Sequence, residues 1–85
     1  MANVRVYTTA SCPFCVRAKQ LLTRKGVAFD EIDVGDDDAL REQITRETGW
    51  RTVPQIFVGD RFIGGFEELK ALDADGQLDP LLAAS

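Results

Sequence analysis

The chain has 85 residues, 45% of them hydrophobic, and a net charge of -4 from 14 acidic and 10 basic side chains. A chain of this length buries one modest core, about 60 to 65% of its unfolded surface, so a single domain over residues 1–85 is expected. The acidic balance disfavours a surface that tracks phosphates, and with it nucleic acid as a partner, and no window approaches the roughly 18 apolar residues of a membrane span. The start, MANVRVYTT, lacks a basic region followed by an apolar run; the expected location is the cytoplasm.

In chain order, Val4 to Thr8 alternates Val4, Val6 and Thr8 with Arg5 and Tyr7, the pattern of a strand carrying β-branched residues. After Cys12 comes Pro13, then apolar positions at Cys15, Ala18, Leu21 and Leu22 at helical spacing. Proline suits the first helical position because the amide it lacks has no partner there, so Cys12 falls at the N-cap; Lys25-Gly26 marks the helix end. The stretch VAFDEIDV, residues 27–34, reads as a second strand whose first half is the firmer. Its apolar parity slips between Phe29 and Ile32, which predicts a bulge or an early end near Ile32.

Asp36, Asp37 and Asp38 offer N-cap and first-turn carboxylates for a helix with Leu40 and Ile44 inward, ending near Gly49 and lying on the surface. From Thr52, TVPQIFVGDRFIGG reads as two antiparallel strands joined through Gly59-Asp60. Gly64-Gly65 breaks the second of them. FEELKALDA then places Phe66, Leu69 and Leu72 on one helical face before Gly76, and a short last helix is expected to begin at Asp79-Pro80. The alternation of β and α elements implies an α/β fold: a right-handed parallel crossover followed by a hairpin, giving a four-stranded mixed β-sheet flanked by helices.

Both cysteines lie within the stretch SCPFC, at Cys12 and Cys15, and the chain has no histidine. Closing so short a loop constrains the unfolded chain by only about 2 kcal/mol, against about 3 for a 15-residue loop, so a structural staple is a poor explanation. Two cysteines are half of a tetrahedral zinc set, and without histidine neither zinc nor a Cys-His hydrolase is supported; no metal is expected. Residues three apart share a helical face, and the helix start directs unpaired amides at the first sulfur. Cys12 is therefore expected to ionise below the free-cysteine range, with Cys15 more buried and less reactive. A pKa lowered from about 8.5 to about 5 raises the thiolate fraction roughly 30-fold, but intrinsic nucleophilicity falls by about the same factor. The gain lies in departure, because a low-pKa sulfur leaves a mixed disulfide quickly. Thiol-disulfide exchange is the chemistry these residues favour.

A strand ending in YTT, CPFC opening a helix, TVPQIF about forty residues later and IGGFEEL after a hairpin together resemble the glutaredoxins, in particular the bacterial dithiol kind. The resemblance covers the chain from Asn3 to about Leu82, and three motifs in this order are specific where a lone CxxC is not. It implies the thioredoxin fold, with a cis peptide bond before Pro54. It also implies a glutathione-dependent oxidoreductase in which Cys12 is the nucleophile and Cys15 the resolving cysteine. Glutathione would serve as reductant, with glutathionylated or disulfide-containing proteins as substrates, glutathione reductase acting indirectly, and a monomer sufficing.

By the same resemblance Val53 would offer its backbone amide and carbonyl to the cysteine of glutathione, in the manner of strand addition, between Thr52 and Pro54. Gly65, Phe66 and Glu67 would turn backbone amides toward the γ-glutamyl carboxylate, with Glu67 standing where aspartate is usual. Taken by themselves, Gly64-Gly65 also read as a strand terminator and Glu68 as a solvated first-turn carboxylate. Thr9 stands where many relatives have lysine; Arg51, or less directly Arg17, is the candidate to replace it toward the glycyl carboxylate. Phe14 stands where tyrosine is frequent and keeps an apolar rim, while Trp50 is expected to pack at the edge of the core rather than touch a ligand. Two alternatives stay open: a dimer in which Cys12 of each protomer and two glutathiones hold a 2Fe-2S cluster, and a redoxin served by thioredoxin reductase. Pro13 fits the first poorly, and the absence of a WSGFRP-like stretch fits the second poorly.

Overall fold

The computed structural model describes residues 3–83. Four strands and four helices follow one another as β1 (Val4–Thr8), α1 (Pro13–Arg24), β2 (Asp30–Asp33), α2 (Asp38–Thr48), β3 (Gln55–Val58), β4 (Arg61–Gly64), α3 (Phe66–Ala74) and α4 (Leu78–Ala83). The sheet order is β2-β1-β3-β4, parallel between β1 and β2 and antiparallel elsewhere. This mixed sheet flanked by helices is the thioredoxin fold that the resemblance implied.

Side chains alternate across a strand, so each central strand feeds two cores. Val4 and Val6 of β1 and Ile56 and Val58 of β3 meet Ala18, Leu21 and Leu22 of α1, Leu69 of α3, and Leu78 and Leu82 of α4. Tyr7 and Phe57, one position out of phase, meet Val34 and Ile44 of α2 on the opposite face. Ile44 is the one fully buried residue of α2, which accounts for its thin apolar stripe. Burial of each Leu, Ile or Val contributes about 1.5 to 3 kcal/mol, and the larger cluster lies under α1, the helix that carries both cysteines.

The two faces also explain the parity slip in residues 27–34. Phe29 packs with the α1 cluster and Ile32 with the α2 cluster, so both are satisfied without a bulge. The register of β1 and β2 is unbroken from Arg5 opposite Asp30 to Thr8 opposite Asp33. The strand is thus the second half of the expected stretch, not the first. Val27 donates its N–H to the Leu22 carbonyl at 3.0 Å, tying the first half to the end of α1. The observed register irregularity lies elsewhere, between Ile56 and Phe57 against β4. Two further boundaries differ from expectation. β3 begins at Gln55 rather than Thr52, and α4 begins at Leu78, so Pro80 occupies the first turn without being its first residue.

The remaining elements follow the sequence signals. Asp37 caps α2 by accepting the Leu40 N–H at 3.0 Å, and Gly49, with φ 77°, ends it in the left-handed conformation. Gly59 supplies φ 60° at the first position of the β3–β4 turn. Lys25, at the end of α1, bonds Asp73 at 2.7 Å and Asp79 at 2.8 Å, linking α1 to α3 and α4. These two carboxylates, Asp73 first, hold its ammonium above the usual lysine range.

At the edge of the sheet, Glu31 of β2 accepts from Lys19 of α1 and from the buried Thr8 hydroxyl, each at 2.9 Å. The Lys19 ammonium foremost, then the Thr8 hydroxyl, holds the Glu31 carboxyl below the usual carboxylate range. A depressed folded-state pKa gives stability that is present above the unfolded value, about 4.3, and is lost as pH falls through the folded one. Solvent screening of this exposed pair limits the contribution to about 0.2 to 1 kcal/mol. Glu31→Gln is therefore expected to lower the thermal midpoint by about 1 to 6 °C at pH 7, with a smaller gap to the parent at pH 3. Melting curves at the two pH values check this, and a gap of equal size at both would assign the loss to packing.

Candidate active site

β1 delivers the chain to a turn at Ala10-Ser11, and α1 opens with Cys12 as its N-cap in extended backbone conformation (φ -130°, ψ 99°). The Cys15 N–H donates to Cys12 Sγ at 3.1 Å. A sulfur serves here where Ser or Asp usually caps, because it meets the same orphan amides. The two cysteines are joined as a disulfide, with Cα atoms 5.1 Å apart, well within the separation such a bond spans. Their environments differ as their spacing implies: Cys12 is half-buried and reachable, whereas Cys15 is 1% exposed. When the bond is reduced, the amide that caps Cys12 and the positive end of α1 favour a thiolate at Cys12.

The Val53 carbonyl oxygen lies 3.6 Å from Cys12 Sγ, brought there by the loop between α2 and β3, whose Val53-Pro54 bond is cis. The loop is shaped by a residue the sequence did not flag. Gln55 is 1% exposed. Its Nε2 donates to the Trp50 carbonyl at 2.8 Å and the Thr52 carbonyl at 3.1 Å, and its Oε1 lies 3.0 Å from the Thr48 hydroxyl. The Trp50 N–H donates in turn to Thr48 Oγ1 at 3.1 Å. The available signal was a lone amide inside the apolar run PQIFV, since a polar group in a central strand must find partners. Gln55→Leu keeps the volume and strips two carbonyls of their donor; it is expected to destabilise by about 1 to 3 kcal/mol and to weaken ligand binding at the loop. Denaturant unfolding and substrate KM measure the two effects, and a variant matching the parent in both would show that the loop is held by other means.

A groove of about 340 Å³ opens beside the disulfide. Phe14 from α1, Thr52, Val53 and Pro54 from the loop, and Gly65, Phe66 and Glu67 from the start of α3 line it, together with Trp50 and Glu68. Seven of the eight residues named for glutathione therefore converge. The eighth, Arg51, is exposed and lines a separate groove of about 550 Å³ with Asp38, Arg41, Glu42, Thr45 and Arg46 of α2. Phe14 is 47% exposed and stacks on Phe66 at 6.3 Å, with the Arg17 guanidinium 5.4 Å over its ring, so its ring forms a rim of the groove.

Trp50 packs edge-on against Phe62 at 5.3 Å and also lines the groove; packing and contact with the cleft are not alternatives for a ring this large. Gly64 adopts φ 121°, and a Cβ there would lie 2.9 Å from Glu68 Cγ and 3.1 Å from Trp50 Cη2. Glu68 is more than a solvated carboxylate, since its Oε1 accepts the Gly65 N–H at 2.9 Å. That bond occupies one of the three amides expected to meet a carboxylate. The N–H groups of Phe66 and Glu67, the first two residues of α3, are the ones a helix leaves without internal partners.

The family model described as Glutaredoxin matches residues 4–63. Glutaredoxin 3 of Escherichia coli K12 is 52% identical over 82 residues, covering 96% of this chain and 99% of that protein. The solution structure of a glutaredoxin from Brucella melitensis superposes with a TM-score of 0.87 at 46% identity, over 96% of this chain and 89% of the other. A buckwheat glutaredoxin solved as a glutathione complex superposes with a TM-score of 0.88 at 29% identity, over 95% and 76% of the two chains.

Proposed function

Since the chain belongs to the glutaredoxin family, whose dithiol type its Cys12-Pro13-Phe14-Cys15 stretch fits, and is a thiol-disulfide oxidoreductase, we propose that glutathione is its reductant and the glutathionyl group its preferred cargo. The single observation that carries this reading is the groove beside Cys12, in which the Val53 backbone and the start of α3 border one cleft. The buckwheat relative solved with glutathione supports it.

In the proposed cycle the Cys12 thiolate attacks the glutathionyl sulfur of a mixed disulfide. The old S–S bond breaks and the substrate leaves as a thiolate that takes a proton from water. The thiolate of a second glutathione then attacks the sulfur held on Cys12, releasing glutathione disulfide and restoring the Cys12 thiolate, whose low basicity speeds this departure. With a protein disulfide, Cys15 instead attacks the sulfur of Cys12, expelling the substrate and forming the Cys12–Cys15 bond.

The Val53 N–H and C=O pair with the cysteine residue of glutathione, and the Phe66 and Glu67 amides receive the γ-glutamyl carboxylate. Phe14, Thr52, Pro54 and Gly65 shape the walls. Arg51 supplies positive charge from outside the groove toward the glycyl carboxylate. One protomer contributes every group, and the cycle requires a compartment rich in reduced glutathione, as the cytoplasm is. No helix of the described residues is long and apolar enough to cross a membrane.

The decisive experiment is a coupled assay comparing NADPH, glutathione and glutathione reductase with NADPH and thioredoxin reductase. Turnover is expected only in the first mixture. Equal turnover in the second would replace glutathione by a reductase as the electron donor.

A further inference from the structure

The charge of this chain is unevenly placed. Ahead of Asp30 it carries Arg5, Arg17, Lys19, Arg24 and Lys25 and no acidic residue, whereas all 14 acidic side chains lie from Asp30 onward. A modest net charge of -4 thus conceals a basic segment that includes both cysteines. Four of these cations are engaged within the fold, Arg17 through the Phe14 ring 5.4 Å away. Lys19 pairs with Glu31, Lys25 with Asp73 and Asp79, and the Arg5 guanidinium sits 4.7 Å over the Phe57 ring. Arg17 and Arg24 are exposed on α1, and neither forms a salt bridge among the described residues.

The outward face of α1 holds a shallow groove of about 440 Å³ lined by Val16, Lys19, Gln20, Thr23 and Arg24. Their spacing of three and four puts them on one stripe. Val16, 46% exposed, begins the stripe, and its N–H donates to the Cys12 carbonyl at 3.1 Å, one turn from the sulfur. From Val16 to Arg24 the helix rises about 12 Å, the length of roughly four residues of extended chain. No residue of this groove lines the one beside Val53, so the exchange cycle leaves the surface without a task.

The geometry points to this stripe as a docking surface for an acidic segment of a protein substrate, lying along α1 while the substrate's disulfide faces Cys12. The Arg24 head, unpaired among the described residues, selects the sign of the partner's charge, Val16 gives apolar contact nearest the sulfur, and Gln20 and Thr23 supply polar partners between them, while Lys19 borders the stripe with its charge already met by Glu31. Charge complementarity of this kind acts mainly on encounter and fades with salt. The inference rests on the thiol-disulfide exchange reading and concerns only substrates long enough to reach the stripe.

The test uses short peptides that each carry one glutathionylated cysteine flanked on both sides by four Glu, four Gln or four Lys residues, with glutathionylated cysteamine as the small substrate. At low ionic strength kcat/KM is expected to favour the Glu peptide over the Lys peptide by about tenfold, and less at high salt. The double variant Gln20→Glu, Arg24→Glu is expected to reverse that order while handling the cysteamine disulfide within about twofold of the parent. Arg24→Gln alone, a milder exchange on an exposed helical face, is expected to reduce the preference by about two- to threefold. A parent enzyme indifferent to peptide charge, or a preference that survives both variants unchanged, overturns the docking surface. A parent enzyme unable to turn over the cysteamine disulfide would instead overturn the proposed function.

Discussion

Cys12→Ser is expected to abolish turnover on every disulfide substrate, by at least about three orders of magnitude, since a serine hydroxyl without an adjacent base supplies no nucleophile at neutral pH. Cys15→Ser is expected to keep removal of glutathione from a small mixed disulfide within about threefold of the parent and to lose at least about tenfold on a protein disulfide. The asymmetry follows from position. Cys12 caps α1, is only half-buried, and has its sulfur met by the Cys15 N–H at 3.1 Å. Cys15 lies one turn in and is 1% exposed, so external disulfides cannot reach it. Its proposed role is to attack a sulfur already bonded to Cys12, a step that only the protein-disulfide route requires. A coupled glutathione assay on both substrates, with both variants, reads the four rates. Substantial activity in Cys12→Ser, or loss of small-substrate activity in Cys15→Ser, would reverse or discard the assigned roles.

The second large effect is expected at Gly64. Its φ of 121° lies where side chains are rarely tolerated, and a Cβ would be 2.9 Å from Glu68 Cγ and 3.1 Å from Trp50 Cη2. Backbone strain alone costs about 1 to 3 kcal/mol. Displacing Glu68 adds the loss of its bond to the Gly65 N–H, and displacing Trp50 disturbs its packing on Phe62. Gly64→Ala is therefore expected to destabilise by about 2 to 4 kcal/mol and to raise KM several-fold, because both displaced side chains line the groove. Gly76→Ala provides the comparison: Gly76 also has positive φ, 72°, but its Cβ would meet nothing within 4 Å. It is expected to lose about 1 to 2 kcal/mol with KM unchanged. Denaturant unfolding and KM on the small mixed disulfide separate the two. If Gly64→Ala proved no less stable than Gly76→Ala and bound substrate equally well, the packing of Trp50 and Glu68 on Gly64 would have no energetic weight.

Local chemistry made much of the molecule legible. The first strand, the proline-started helix with Cys12 at its N-cap, the Asp37 cap, the Gly59 turn and the helix over FEELKALDA all depend on contacts within a few residues, and each stands where its signal lies. Local signals fall short where the outcome depends on the path of another segment. The parity slip in 27–34 reads as a bulge or an early end near Ile32, because periodicity cannot show that Phe29 and Ile32 serve two different cores; the strand has no bulge against β1 and ends at Asp33. Trp50 packs on Phe62 as its place beside the core implies, and only the fold adds Gly64 and Gly65 against its ring. Gln55 bonds Thr48, Trp50 and Thr52, all within seven residues, but only because the loop doubles back over the start of β3, a path no local signal gives.

The sequence by itself determined the reactive chemistry, with two cysteines three apart at a helix start and no histidine to compete, because ionisation of a capping sulfur is a property of one turn of chain. It determined the element order as well, through caps and turns that act over a few residues. Tertiary structure alone decided what surrounds that sulfur: the Val53 carbonyl 3.6 Å away, the loop and the start of α3 brought together along one groove, and Arg51 placed along a different one. The approach of Val53 to Cys12 joins residues 41 apart in the chain, where small differences in packing choose among placements that the local sequence leaves equal.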